Sequence, residues 1–313
     1  MMHFQDNDTS SANPDGTFSI EVTGQARHSQ RIAARRLTLI CEGGGQRGIF
    51  TAGILDSFMR AQYFPFHALY GVSAGAQNLA AYACGQHGYA RDAICYYTAS
   101  KKFYDPVRFA RGGHLIDLDW YFDALKQDMP LHIEHGRKRL AGGSFHICAS
   151  RQETLEADYL SFHSANVTLA MKASCAIPLL YRDSVVLDGV SYWDGGLSDS
   201  LPVGQAHSSG SDCLVVIRSQ PRDSVNAMAL LHRNWRLKGL QKMGNLAHRY
   251  VKNYTAAMQF IDQPPEGSTV IDIAPVRPLK SRLLGSSRQA LLHDYHLGQR
   301  CGAEFLDSHA WRL

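Results

Sequence analysis

Short apolar runs alternate with amphipathic stretches along most of this chain. Leu37–Cys41, Ala68–Val72, Phe145–Ser150, Cys213–Ser219 and Thr269–Ala274 are dominated by apolar residues and carry few charges. Runs of that length and character predict strands buried on both faces. Between them, Gly48–Gln62, Ala74–Gln86, Ala90–Lys102 and Ser287–Phe305 repeat apolar residues at helical spacing, as does Val167–Ala176 ahead of Pro178. Val185–Trp193 reads as a hairpin turning at Asp188-Gly189. Strands separated by helices predict an α/β fold with a mostly parallel central sheet, flanked by helices on both faces. A chain of 313 residues can form one large domain of this kind or two small ones.

Composition narrows the function. A net charge of +4, without a dominant basic block, argues against a nucleic-acid partner. The seven cysteines are scattered and form no CxxC pair, which predicts free thiols in a reducing compartment. His132/His135 and His293/His296 share an i,i+3 spacing but have no third ligand beside them, so no metal site and no cofactor is expected. Residues 1–35 are polar, lack the apolar core of a signal peptide and read as a flexible tail. No apolar run approaches the roughly 18 residues that span a bilayer. The expectation is a soluble, cytoplasmic protein.

Chemistry concentrates in two glycine-rich turns. Gly43-Gly-Gly-Gln-Arg-Gly48 follows the first predicted strand and opens the first helix. Such a loop offers backbone N–H groups to negative charge at a helix N-terminus. Its G-x-G-x-x-G spacing fits a dinucleotide fingerprint, but the acidic residue expected at the end of the next strand is absent. A P-loop would need Lys-Ser/Thr where Ile49-Phe50 stands. The next strand ends instead in Gly71-Val-Ser-Ala-Gly75, a G-x-S-x-G elbow that would push Ser73 outward at a strand-to-helix turn. The charge held by Gly43, Gly44 and Gly45 would then be a transient oxyanion, with Arg47 adding positive potential or bracing the loop by an ion pair. A base for Ser73 could be His293 or His296, oriented by Asp194.

Four blocks together resemble the patatin-like phospholipase family. Glu42–Gly48 is similar to its glycine-rich loop, with Glu where Asp is commoner, and Gly71–Gly75 to its nucleophile elbow. Ala173-Ser-Cys-Ala-Ile-Pro178 resembles its A-S-x-A-x-P block, and Asp194-Gly195-Gly196 its D-G-[AG] motif. Asp199-Ser-Leu-Pro202 stands where many members carry Asn before the proline. The resemblance implies a three-layer α/β/α fold. It also implies a Ser73–Asp194 dyad without histidine, an oxyanion hole built from Gly43, Gly44, Gly45, Arg47 and Gly48, and support from Gly71, Gly75, Gly195 and Gly196. It further implies a lipid ester as substrate, cleaved by a phospholipase A or lysophospholipase type of hydrolysis. The catalytic region would span 36–210, with 211–313 continuing the sheet and helices. A His-dependent esterase and a non-catalytic lipid-binding module are the competing readings.

One stretch bears on location. From Ser224 to Ile261 there is no acidic residue, while Arg233, Arg236, Lys238, Lys242, Arg249 and Lys252 accompany apolar residues near helical spacing from Met228 to Tyr254. Residues 228–254 could lie on an anionic membrane surface, making the protein peripheral there. Equally, the apolar stripe could face the core with the cations solvated.

Overall fold

The computed structural model describes residues 10–12, 15–24, 36–222, 224 and 241–308. The first half of the chain forms β1 (Ser10–Ala12), β2 (Phe18–Thr23), β3 (Leu37–Cys41), α1 (Gly48–Arg60), β4 (Ala68–Val72) and α2 (Ala74–Ala83). α3 (Tyr89–Asp92) runs into a π-helical turn over Ala93–Thr98, and α4 (Pro106–Ala110), α5 (Leu118–Asp128) and α6 (Ile133–Leu140) follow. Next come β5 (Ser144–Arg151), β6 (Ala157–Ser161), α7 (Val167–Ser174), β7 (Val185–Leu187) and β8 (Val190–Asp194). The chain closes with α8 (Val203–Ser208), β9 (Cys213–Ile217), α9 (Gln241–Asp262), β10 (Thr269–Pro275) and α10 (Arg288–Ser308).

The five buried runs of the sequence are the centre of one sheet. Its order is β1-β2-β10-β9-β3-β4-β5-β8-β7, with β6 added on β5. The central five strands, β10-β9-β3-β4-β5, are parallel. The margins are antiparallel: β1 and β2 on one side, β6, β7 and β8 on the other. Alternate side chains of the central strands enter opposite layers, as the two-residue period of a strand requires. Leu37, Leu39, Val215 and Ile217 join the core that holds α1, α2 and α10, while Ile40, Leu214 and Val216 join the one that holds α8 and α9.

Several details depart from the expectations. The segment 1–35, read as a flexible tail, contains β2, which pairs with β10 from Phe18↔Pro275 to Thr23↔Val270. Helices α4, α5 and α6 fill a stretch without an expected element; Asp105 and Asp117 cap α4 and α5 by accepting backbone N–H bonds. The helix expected over Ala90–Lys102 is largely the π-helical turn. Of the stretch 228–254, residues 228–240 lie outside the described residues. Its described part turns Ala247 and Tyr254 inward and Lys252 outward. No described helix is long and apolar enough to cross a membrane. The seven cysteines are free and buried.

Three parallel strands end side by side, with Cys41 opposite both Gly71 and Ile217. The chain runs from β3 to β4 in one direction, whereas β9 and β10 extend the sheet in the other. Ligand crevices of open α/β sheets form at such a reversal, beyond the carboxyl ends of the strands.

Candidate active site

Ser73 leaves β4 with φ 53° and ψ −124° and caps the start of α2. That backbone conformation costs on the order of 1–3 kcal/mol for a residue with a side chain. Two features hold it. The Ser73 N–H donates to Ser174 Oγ at 2.8 Å, and the Ser174 hydroxyl donates to the Cys148 carbonyl at 2.5 Å. Gly71 and Gly75 permit the tight turn: a Cβ on Gly75 would lie 2.3 Å from the Cys41 carbonyl oxygen, and one on Gly71 2.5 Å from Ala76 Cα.

Asp194 ends β8 opposite Ala149 of β5. Its backbone is fixed on both sides, the N–H donating to Ala176 O at 2.9 Å and the carbonyl accepting from Ser150 Oγ at 2.8 Å. Its side chain is directed by the Gly196 N–H, which donates to Oδ1 at 2.8 Å. The other oxygen, Oδ2, is buried and has no well-formed hydrogen bond. Burial pushes the carboxyl up to about 6, against downward pulls from the nearby Ser73 side chain and the Gly196 amide. A basic carboxylate with a vacant lone pair beside a serine hydroxyl can accept a proton from it. The loop is braced further by Ser200 Oγ donating to Gly196 O at 2.7 Å, and by Tyr159 Oη donating to Asp199 Oδ2 at 2.7 Å. The Asp-Ser-Leu-Pro sequence after the D-G-G motif therefore supplies its own support.

The glycine loop presents donors to the same space. Among the described residues, the amides of Gly43, Gly44 and Gly45 donate to no other group. Gly43 lies against Ser73, where an added Cβ would stand 3.1 Å from the serine Cβ. Buried Glu42 anchors the loop to the end of β9 by accepting from Ser219 N at 2.5 Å and Ser219 Oγ at 3.1 Å. Ser219 Oγ also approaches Gly43 O at 2.8 Å. Arg47 lines the cleft, and its buried Nε has no hydrogen-bond partner. Gly48 does not line it; it packs against α2, where Asn78 Nδ2 donates to its carbonyl at 2.7 Å.

Ser73 stands at the meeting of two cavities. One holds the charged side chains of Glu42, Arg47 and Asp194 beside Gly43, Gly44 and Gly45, with Gln220 and Tyr250 on its wall. The other is lined mainly by apolar residues, among them Ile94, Phe103, Ile116, Leu118 and Tyr121. Ile177 and Leu283 line both. No histidine lines either among the described residues. His293 instead sits beside Asp294, Nδ1 to Oδ1 at 2.9 Å, and His296 contacts Gln299 at 3.0 Å. No group of three or more His, Cys, Asp or Glu among the described residues is placed to hold a metal ion.

The structure thus gathers Ser73, Asp194, Gly43, Gly44, Gly45 and Arg47 around one cleft, with Gly71, Gly75, Gly195 and Gly196 in the turns that carry them. Sequence reasoning did not single out Gln46 as a site residue. It is buried in the loop: Nε2 donates to Thr98 O and Oγ1 at 3.1 Å each, Oε1 accepts from Ser286 N at 2.8 Å, and its own N–H donates to Leu283 O at 3.0 Å. Ser219, Tyr250 and Leu283 were missed as well, and nothing local marks them. Ser174 lay inside the A-S-x-A-x-P block and could have been found there.

A family model described as patatin-like phospholipase matches residues 39–207. A second, a domain of unknown function, matches residues 240–313. An uncharacterized protein of Escherichia coli strain K12, YjjU, is 46% identical over 275 residues, covering 87% of this chain and 77% of that protein. The crystal structure of VipD from Legionella pneumophila aligns with a TM-score of 0.45 at 12% identity, over 96% of this chain and 70% of that one.

Proposed function

We propose that this chain, which belongs to the patatin-like phospholipase family, is a serine lipid acyl hydrolase working through a Ser73–Asp194 dyad. One observation supports the reading: Ser73, Asp194 and Gly43–Gly45 line one cleft, with Asp194 Oδ2 buried and without a hydrogen-bond partner and the three glycine amides donating to no other group among the described residues. Asp194 accepts the Ser73 hydroxyl proton as Oγ attacks the acyl carbonyl. The oxyanion that forms is stabilised by the glycine-loop amides, each such donor being worth about 10²–10³ in rate. Collapse of the intermediate expels the alcohol, which takes the proton back from Asp194, and leaves the acyl group on Ser73. Water then attacks this ester, again giving its proton to Asp194, and the fatty acid leaves as the proton returns to Ser73 Oγ.

The apolar cavity suits the acyl chain, and the one holding Glu42, Arg47 and Asp194 suits the alcohol portion of a phospholipid or lysophospholipid. A His-dependent esterase has no support in the cavity lining. Hydrolysis of a phospholipid and lysophospholipid panel tests the proposal. The native protein releases fatty acid and reacts with a fluorophosphonate, whereas Ser73→Ala does neither. Fatty-acid release that survives Ser73→Ala would refute the assignment. Binding of lipid without release or labelling would leave a lipid-binding module.

A further inference from the structure

The apolar cavity beside Ser73 is separated from a second one by a polar partition. Gln77 follows Ser73 by one turn of α2, and its side chain stands in the wall that the two cavities share. Tyr121 Oη donates to Gln77 Oε1 at 2.6 Å, and Gln77 Nε2 reaches Cys175 Sγ at 3.1 Å. Both amide ends are therefore fixed, and Tyr121 is buried. A polar group costs free energy in such surroundings unless it is hydrogen-bonded, so the two contacts lock the amide in one position.

Behind this partition lies a second mostly apolar chamber, lined by Phe122, Leu125, Leu131, Ile133 and Met171, with the exposed Lys126 at its margin. Gln77 and Tyr89 line both chambers. Neighbours on α5 face opposite sides of the divide. Leu118 and Tyr121 look into the first chamber and Phe122 and Leu125 into the second, the rings of Tyr121 and Phe122 meeting edge to face at 5.2 Å.

We infer that the Gln77 side chain is the acyl-chain ruler of this site, stopping the chain at the end of the first chamber and closing off a second that would accept a longer one. The inference rests on Ser73 being the nucleophile. A chain that overruns the first chamber must displace an amide bonded at both ends, leaving its partners unsatisfied, whereas a shorter chain disturbs nothing. Tyr121 and Cys175 act as positioning residues through Gln77.

The test is kcat/KM for p-nitrophenyl butyrate, octanoate, laurate and palmitate with the native protein, Gln77→Ala, Gln77→Met and Ser73→Ala. Native hydrolysis falls off toward palmitate. Gln77→Ala raises the palmitate-to-octanoate ratio by about tenfold or more, the discrimination one ill-fitting methylene supplies. Gln77→Met keeps similar bulk but loses both hydrogen bonds, so the flexible side chain yields to the longer chain and the ratio rises here too. The ratio is internally normalised, so a partial loss of folded protein does not alter it. Ser73-dependent hydrolysis with an unchanged ratio in Gln77→Ala overturns the ruler alone. A native ratio in Gln77→Met overturns the hydrogen-bonded lock. Absence of Ser73-dependent hydrolysis of every ester overturns the hydrolase reading, and the ruler with it.

Discussion

As the proposed base, Asp194 would work without a histidine. It is buried, and burial disfavours its charged form. Its folded pKa, about 6, lies above the ordinary value near 4. For a carboxyl shifted upward, the stabilising contribution is complete below the unfolded pKa and is lost as pH rises through the folded one. At neutral pH the folded state therefore carries a cost on the order of 3 kcal/mol at this position. Asp194→Asn should abolish hydrolysis yet keep or raise the thermal unfolding midpoint at neutral pH. A marked fall in that midpoint would mean the charge is supported by contacts that offset its burial. The same shift predicts that native kcat/KM drops about tenfold per pH unit below about pH 6, as the base becomes protonated. A flat profile down to pH 4 would exclude Asp194 as the group that titrates. At this scale, Ser73, Asp194 and the glycines were legible because their residue types sit in short motifs with a mechanical meaning. Gln46 and Ser219 were not, because their partners lie far along the chain, at Ser286 and Glu42.

The strand-to-helix turn after β4 depends on another element, α7. Its Ser174 links the strained Ser73 amide to the Cys148 carbonyl on β5. Ser174→Ala leaves that buried N–H without its acceptor, a penalty of about 1–3 kcal/mol. Since the lost contact positions the proposed nucleophile rather than the lipid, kcat should fall by tenfold or more while KM changes little. Fluorophosphonate labelling should slow in parallel. A change confined to KM would remove Ser174 from this role. The central strands and the long helices α1 and α10 were readable from period and composition. β6, α4 and α6 were not: β6 and α4 have five residues each, too few to show a period, and Ile133–Leu140 carries three cations with apolar side chains only at its two ends. β2 was misread for a related reason, since its polar neighbours masked the alternation of Phe18, Ile20 and Val22.

On the scale of the molecule, the part matched as patatin-like and the part matched as a domain of unknown function share one sheet and one cleft. β9 lies between β3 and β10, and α10 packs along α1 so closely that a Cβ on Gly298 would sit 2.1 Å from the Phe50 carbonyl oxygen. The loop before α10 reaches the site itself: Asp294 Oδ2 accepts from Ser281 N at 2.6 Å and Ser281 Oγ at 2.7 Å, and nearby Leu283 walls both cavities. A chain ended after residue 210 would leave β3 with an open edge and α1 with a bare apolar face. It should neither unfold cooperatively nor hydrolyse ester, as circular dichroism and the lipid panel would show. A well-folded, Ser73-dependent fragment would establish an independent catalytic domain instead. The sequence made the sheet continuation plausible, but the order of strands within it is set by long-range pairing that no local pattern records.

The seating of α10 on α1 also fixes a timetable for the nascent polypeptide. Translation adds about 5–20 residues each second, so on the order of ten seconds or more must pass between the emergence of α1 and that of the helix that covers it. Until β9 emerges the flank of β3 stays unpaired, and until α10 follows the apolar face of α1 stays accessible to other chains, as unfinished sheets generally are. Biogenesis of this chain should accordingly lean on the chaperones that meet polypeptides at the ribosomal exit.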